Sequence, residues 1–327
     1  MSRRGGDVRW GVLGTANIAA HAFLPALREA GGRAVAVGSR DLSKAAEWAQ
    51  QHQVERAGTY QQVVDADDVD AVYVALPNHL HVQWAAAAVS AGKAVLCEKP
   101  LGLDTGQVRS LLADVSGDTL LWEAFVFPFH PQTDRLLELV RGGDIGDLRE
   151  MVSEFHFQVK QPSNIRLQPS LGGGALYDVG CYPIRLARLL TGGEPGSAVS
   201  SAHFGDVEVD LDMAAVVQFP DEVRLLLSAG LRRPPSTYTR IVGTSGELRV
   251  SNPFHPRSSD SIELWTDGSR QRTWSGEGGS AFEHAVAHIN AVVHQDAAPR
   301  LLARGGSLQQ AAAVDLVRAA MQTSVDR

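Results

Sequence analysis

The sequence predicts an α/β protein in two parts: a doubly wound parallel sheet over residues 1–125, and an α+β domain with an open, mostly antiparallel sheet over residues 126–327. Three observations carry this. The 327 residues are long for one core, since domains of about 100–200 residues are the rule. The first third alternates short runs, apolar on both faces, with runs of helical spacing, which is the pattern of a parallel sheet covered by helices on both sides. Later runs are longer, alternate apolar with polar, and are joined by Gly, Pro, Asp or Ser turns, as a one-sided antiparallel sheet requires.

Taken in order, Val8–Gly14 is a short apolar strand ending in glycine. A helix follows with Ile18, Phe23 and Leu27 at helical spacing, and Gly31 and Gly32 suit its C-cap. Strand Ala34–Ser39, helix Leu42–His52, strand Asp70–Pro77, helix His81–Lys93 and strand Ala94–Pro100 continue the alternation. Helix Pro131–Gly143 then leads into strand-like runs at Leu148–Lys160, Ala214–Phe219, Glu222–Leu231, Tyr238–Thr244, Gly246–Ser251 and Ile262–Asp267. Helical segments Gly172–Leu190, Ala281–Asp296 and Ser307–Met321 accompany them, and the two domains are expected to pack with a cleft between them.

Composition excludes several classes. A net charge of -7 without a basic run argues against a nucleic-acid surface, which needs clustered Lys and Arg to neutralise phosphates. No apolar stretch reaches a membrane span and the N-terminus has no secretory apolar region, so the expectation is a cytoplasmic protein. Cys97 and Cys181 read as small core hydrophobes. No metal is expected: His79 with His81, and His284 with His288, have suggestive spacings, but Glu283 precedes rather than follows its histidine and no ligand set is complete.

Gly14, Thr15, Ala16, Asn17, Ile18 and Ala19 lie between the first strand and first helix, where a dinucleotide-binding turn belongs. Such a turn needs glycine for its bend, a small residue where backbone meets pyrophosphate, and another for helix packing. Gly14, Ala16 and Ala19 meet those needs, although only the first is glycine. After the second strand, Ser39 and Arg40 stand where an NAD-selective site places a carboxylate for the ribose 2′-OH. A hydroxyl and a forked cation suit a 2′-phosphate, so NADP(H) is favoured, with NAD(H) as the alternative.

Hydride transfer to a carbonyl needs a cation and a proton donor beside the oxygen. Lys99 ends a parallel strand at the sheet edge where ligands bind, and Pro100 stiffens the bend. Asp178 and Tyr182, four apart after Gly172–Gly174, share one face of a predicted helix. A phenol can exchange the proton if a lysine stabilises its phenolate, and a carboxylate can orient substrate hydroxyls. Tyr177 faces elsewhere and reads as packing.

These stretches, with Val74–His81, Leu96–Gly102, Glu123–Gln132 and Gly172–Pro183, resemble the glucose–fructose oxidoreductase, inositol dehydrogenase and dihydrodiol dehydrogenase family. The resemblance implies a Rossmann domain followed by a sheet domain used for homodimer or homotetramer contacts. It implies Lys99 as the catalytic lysine, Asp178 and Tyr182 at the nicotinamide and substrate, and Leu76, Pro77, Asn78, His81, Glu98 and Arg166 around the cofactor. The inositol-oxidising branch carries His where Tyr182 stands, so the chain is similar to the Tyr-using aldose dehydrogenases, dihydrodiol dehydrogenases and nucleotide-sugar 3-ketoreductases. The last tend to carry His before the His-Pro-Gln triplet, and Phe129 departs from that. The resemblance thus implies alcohol–carbonyl interconversion on a sugar, sugar derivative or cyclic diol. A non-catalytic NADP or sugar sensor and a redox-neutral NAD-dependent glycosidase are the alternatives.

Overall fold

The computed structural model describes residues 7–116, 118–276 and 278–325, which form two compact units. Of the described residues, the first comprises those in 7–102, 106–126 and 280–308; the second comprises those in 103–105, 127–279 and 309–325.

The first unit is built on six parallel strands: β1 (Arg9–Leu13), β2 (Arg33–Gly38), β3 (Arg56–Gly58), β4 (Ala71–Val74), β5 (Ala94–Cys97) and β6 (Leu121–Glu123). Their order, β3-β2-β1-β4-β5-β6, reverses direction between β1 and β4, the switch point beside which doubly wound sheets hold ligands. Helices α1 (Leu24–Glu29), α2 (Leu42–His52), α3 (Tyr60–Val64), α4 (His81–Ser90) and α5 (Thr105–Ala113) connect them. Every residue of β4 and β5 is buried, as helices on both faces demand. At the core Phe23 stacks on Tyr73, centroids 4.2 Å apart, and meets the edge of Trp10 at 5.2 Å. Each such buried aromatic contributes roughly 1.5–3 kcal/mol through removal from water.

One boundary differs from the expectation that residues 126–327 form a single domain. The chain leaves the first unit after Val126 but returns to it for residues 280–308. The returning segment carries the helix Ala281–Val293, α8. It includes Asn290, which accepts a hydrogen bond from Trp10 Nε1 at 2.9 Å and donates to Ala30 O at 3.1 Å. Phe282 lies 6.3 Å from the Tyr73 ring. Its apolar face therefore belongs to the core of β1 and β4.

The second unit holds α6 (Pro131–Arg141), α7 (Cys181–Thr191), most of α9 (Ser307–Val325) and an eight-stranded sheet. The strands are β7 (Leu148–Gln158), β8 (Ser197–His203), β9 (Asp212–Gln218), β10 (Arg224–Gly230), β11 (Arg232–Gly243), β12 (Glu247–Val250), β13 (Ser261–Thr266) and β14 (Ser269–Ser275). Their order is β14-β13-β12-β11-β7-β10-β9-β8, antiparallel except for β7 with β10. Alternation places Met213, Ala215 and Val217 of β9 in the core, with Val216 on the opposite, open face. Among the described residues no helix is long and apolar enough to cross a membrane.

Candidate active site

In the first unit, Gly14 follows β1 with φ +102°, and a Cβ there would lie 2.4 Å from Ala75 O. Only glycine fits both the angle and the space. The chain enters its helix at Asn17, makes its first turn through Ala20 N–H to Ala16 O at 3.1 Å, and widens into a π turn over Ala19–Phe23. Thr15 and Ala16 are half-buried, whereas Asn17 and Ile18 are exposed. A bend that a Cβ would fill, opening onto a helix start with small residues, fits the pyrophosphate of a dinucleotide.

At the end of β2, Ser39 is buried and its Oγ accepts from Asp41 N–H at 3.1 Å. Arg40 is exposed. Asp41, the next residue in the chain, accepts from Lys44 N–H at 3.1 Å and so caps α2. After β4, Leu76 is buried and Pro77 and Asn78 are half-buried. His81, expected at the cofactor, has no exposed surface and is turned into the protein instead. Its Nδ1 and Nε2 each lie 2.8 Å from a carbonyl oxygen, of Pro100 and Leu76 respectively.

The Lys99–Pro100 peptide is cis. Glu98 and Lys99 are half-buried where β5 ends, between the buried Cys97 and Pro100. Glu98 Oε1 accepts from Tyr73 Oη at 2.5 Å, and Glu123 Oε1 accepts from Leu101 N–H at 3.0 Å. Burial, followed by the charges of Glu98 and Glu123, pushes the Cys97 thiol well above its ordinary range, so it is no nucleophile.

In the second unit, the helix bearing Asp178 and Tyr182 starts differently from the expected regular α-helix. A π turn, Leu176–Gly180, precedes α7. Four residues fall just short of one π turn and just past one α turn, so the two side chains stay on one side. Two of the three glycines lie against the protein itself: a Cβ on Gly173 would meet Arg166 O, and Gly174 has φ +117° and a Cβ there would meet Asp210 Oδ1. Asp210 receives Leu176 N–H on Oδ2 at 2.6 Å, anchoring the helix start, and burial pushes its pKa up to about 7 against that bond.

Asp178 Oδ2 accepts from Arg166 Nε at 2.6 Å, a pairing of two expected site residues that the sequence did not join. The Arg166 guanidinium also sits 5.4 Å from the centroid of Phe157. Tyr182 is 6% exposed and its ring is surrounded by Phe155 and Phe254, each at 5.4 Å, His255 at 5.6 Å and Phe127 at 6.1 Å. Tyr177, by contrast, donates to Leu103 O at 2.5 Å and accepts from Arg318 at 2.7 Å, with burial pushing its pKa up to about 12. It is a structural phenol. The His-Pro-Gln triplet opens α6: His130 Nδ1 accepts from Gln132 N–H at 3.1 Å.

Sequence reasoning missed Tyr73, Asp210, and Phe155, Phe254 and His255 around Tyr182; Glu123 and Phe127 lie in the stretch Glu123–Gln132 but were given no partner. Their partners are distant in the chain, and no local pattern pointed to them. Among the described residues no group of three or more His, Cys, Asp or Glu side chains could hold a metal ion.

Comparison with known proteins matches residues 8–118 to the oxidoreductase family with an NAD-binding Rossmann fold, and residues 133–249 to the GFO/IDH/MocA C-terminal domain. A D-xylose 1-dehydrogenase (NADP(+)) of Haloferax volcanii is 33% identical over 265 residues, 79% of this chain and 81% of that one. A trans-1,2-dihydrobenzene-1,2-diol dehydrogenase of Xenopus tropicalis is 30% identical over 260 residues, 76% of this chain and 77% of its own. Among solved structures, KijD10, a 3-ketoreductase from Actinomadura kijaniata in complex with NADP and TDP-benzene, superposes with a TM-score of 0.88 at 32% identity, covering 97% of this chain and 98% of that one. With both of its parts matched in order, the chain belongs to the GFO/IDH/MocA family of oxidoreductases.

Proposed function

We propose that the protein is an NADP(H)-dependent oxidoreductase that interconverts an alcohol and a carbonyl on a sugar, sugar derivative or cyclic diol. The observation that carries this reading is Lys99, half-buried on a side-chain-braced turn at the carboxyl end of β5 in a sheet whose Gly14 turn fits a dinucleotide. When bound, the cofactor supplies or accepts the hydride. Gly14, Thr15, Ala16, Asn17 and Ile18 hold its pyrophosphate, with Leu76, Pro77, Asn78, Glu98 and Arg166 around the rest. Arg40 and the Ser39 hydroxyl take the 2′-phosphate. Asp41 supports that choice, because its carboxylate is engaged in capping α2.

Tyr182 exchanges the proton with the substrate oxygen. Lys99 bears on the same oxygen and stabilises the phenolate left behind. Asp178 orients a neighbouring hydroxyl, and its bond to Arg166 holds the carboxylate in place. KijD10 has been solved as a variant altered at one lysine and as another altered at one tyrosine, the residue types given the central roles here.

A second copy of the chain is the proposed partner, forming a homodimer or homotetramer through the open sheet face. Val199 and Val216 pair across β8 and β9 on that face at 76% and 45% exposure, and the row continues through Leu226 and Val152.

The test is incubation with NADP+ or NADPH and a panel of aldoses, ketoses and diols, D-xylose among them, in both directions. Turnover with NADP(H) supports the reading. Tight NADPH binding without turnover on any panel member would instead indicate a sensor, and sugar release without net reduction a redox-neutral glycosidase.

A further inference from the structure

Three side chains brace the segment on either side of Lys99. Tyr73 grips the Glu98 carboxylate, Glu123 accepts the Leu101 N–H, and His81 Nδ1 lies 2.8 Å from Pro100 O. His81 has a second anchor, because Nε2 lies 2.8 Å from Leu76 O. The imidazole therefore spans from the loop after β4, which continues into Pro77 and Asn78, to the turn that carries Lys99. It is the first residue of α4 and has no exposed surface, so helix and sheet fix its position.

The chemistry of these contacts is restrictive. A carbonyl oxygen only accepts, so each contact is a bond only while the ring nitrogen carries hydrogen. A neutral ring serves one carbonyl and a protonated ring serves both. Burial pushes the ring's pKa down, against the two carbonyls, which favour the charged form. Leucine would fill the same volume but leave both carbonyls without this donor, and a buried unpaired carbonyl is costly.

We propose that His81 is a positioning residue: lodged between Leu76 O and Pro100 O, and hydrogen-bonded through a ring N–H to at least one of them, it fixes the Lys99 turn against the loop after β4 and so sets where the Lys99 ammonium stands. This rests on the oxidoreductase reading above. Misplacing a reacting group by about 1 Å can cost on the order of a hundredfold in rate, whereas a packing role would leave the rate of folded enzyme intact.

The test compares full-length wild type, His81→Leu, His81→Gln and Lys99→Ala. Four quantities are measured: kcat and KM on whichever panel compound turns over, NADPH affinity by fluorescence, and melting temperature. For His81→Leu the expected result is a kcat lower by roughly ten- to a hundredfold, with KM and NADPH Kd within about threefold. His81→Gln, whose single amide nitrogen reaches one of the two carbonyls, falls between Leu and wild type. Wild-type kcat in folded His81→Leu, whatever its melting temperature, overturns the proposal. So does a kcat loss matched by an equal loss of NADPH affinity. If the Leu variant does not fold, wild-type kcat in His81→Gln overturns it. Lys99→Ala separates the two levels: an inactive Lys99→Ala beside an unaffected His81→Leu removes only the role of His81. An active Lys99→Ala, or no turnover on any panel compound, removes the reading beneath it as well.

Discussion

Asp210 shows how one buried side chain can set a pH dependence. Its folded pKa is raised to about 7 from 3.8, chiefly by burial, so the folded state holds its proton more tightly than the unfolded chain does. The stability this gives is fully present below pH 3.8 and is lost as pH rises through about 7. Asp210→Asn keeps an oxygen for Leu176 N–H and removes the titration. Its melting temperature relative to wild type should climb between those two pH values, by about 1.4 kcal/mol of stability per pH unit, and level off above them. A constant difference across that range would show that Asp210 does not titrate there. At the cofactor, Arg40→Ala should weaken NADPH binding by roughly tenfold or more while leaving NADH binding within about threefold, because it removes a charge-assisted bond to the 2′-phosphate. Equal losses for both nucleotides would place Arg40 elsewhere. Lys99, Tyr182 and Asp178 stand out in the sequence as candidates because their motifs are local. What each touches does not: Asp178 meets Arg166, and Glu98 meets Tyr73, through the fold rather than through spacing.

At the scale of elements, the strands with a buried face were legible and the edges were not. β8 and β14 carry Ser-rich or Arg-rich sequences with little side-chain burial, so hydrophobic alternation does not mark them. β3 and β6 are three residues each, too short to display a period. β11 begins before the predicted start at Tyr238, at Arg232, and its register shifts where Pro234 and Pro235 have no N–H to donate. The two π turns were also invisible, since the letters of Ala19–Phe23 and Leu176–Gly180 suit an ordinary helix. Helix α8 is legible as a helix, but the unit it packs with is not, because an amphipathic pattern shows that a face is buried without showing against what. Its placement predicts that Asn290→Ala, which leaves Trp10 Nε1 unpaired in the core, destabilises the protein by about 1–3 kcal/mol in a denaturant titration. An unchanged midpoint would contradict that assignment. Gly14→Ala should be worse for binding than for folding alone, because the added Cβ drives the turn off Ala75 O and displaces the surface offered to pyrophosphate. NADPH affinity should fall at least tenfold, and unchanged affinity would remove the turn from the cofactor site.

For the molecule as a whole, two features carry the account: a chain that crosses between two units and returns, and a family relationship that spans both. The crossing near residue 126 was readable as a change of rhythm, while the return at residue 280 was not, because nothing in composition marks it. The open sheet face, with Val199 and Val216 exposed, predicts self-association. Val216→Glu should shift the protein toward monomer in light scattering without lowering its melting temperature appreciably, and an unchanged mass would place any assembly on another surface. The central claim is that Lys99 acts on the reacting oxygen of an NADP(H)-linked alcohol–carbonyl conversion. The direct measurement is kcat/KM of Lys99→Ala beside wild type on the compound that turns over, with NADPH affinity measured on the same samples. The account predicts a loss of at least a hundredfold, about 2.7 kcal/mol, with NADPH affinity largely kept. Turnover within about tenfold of wild type, roughly 1.4 kcal/mol, would contradict it.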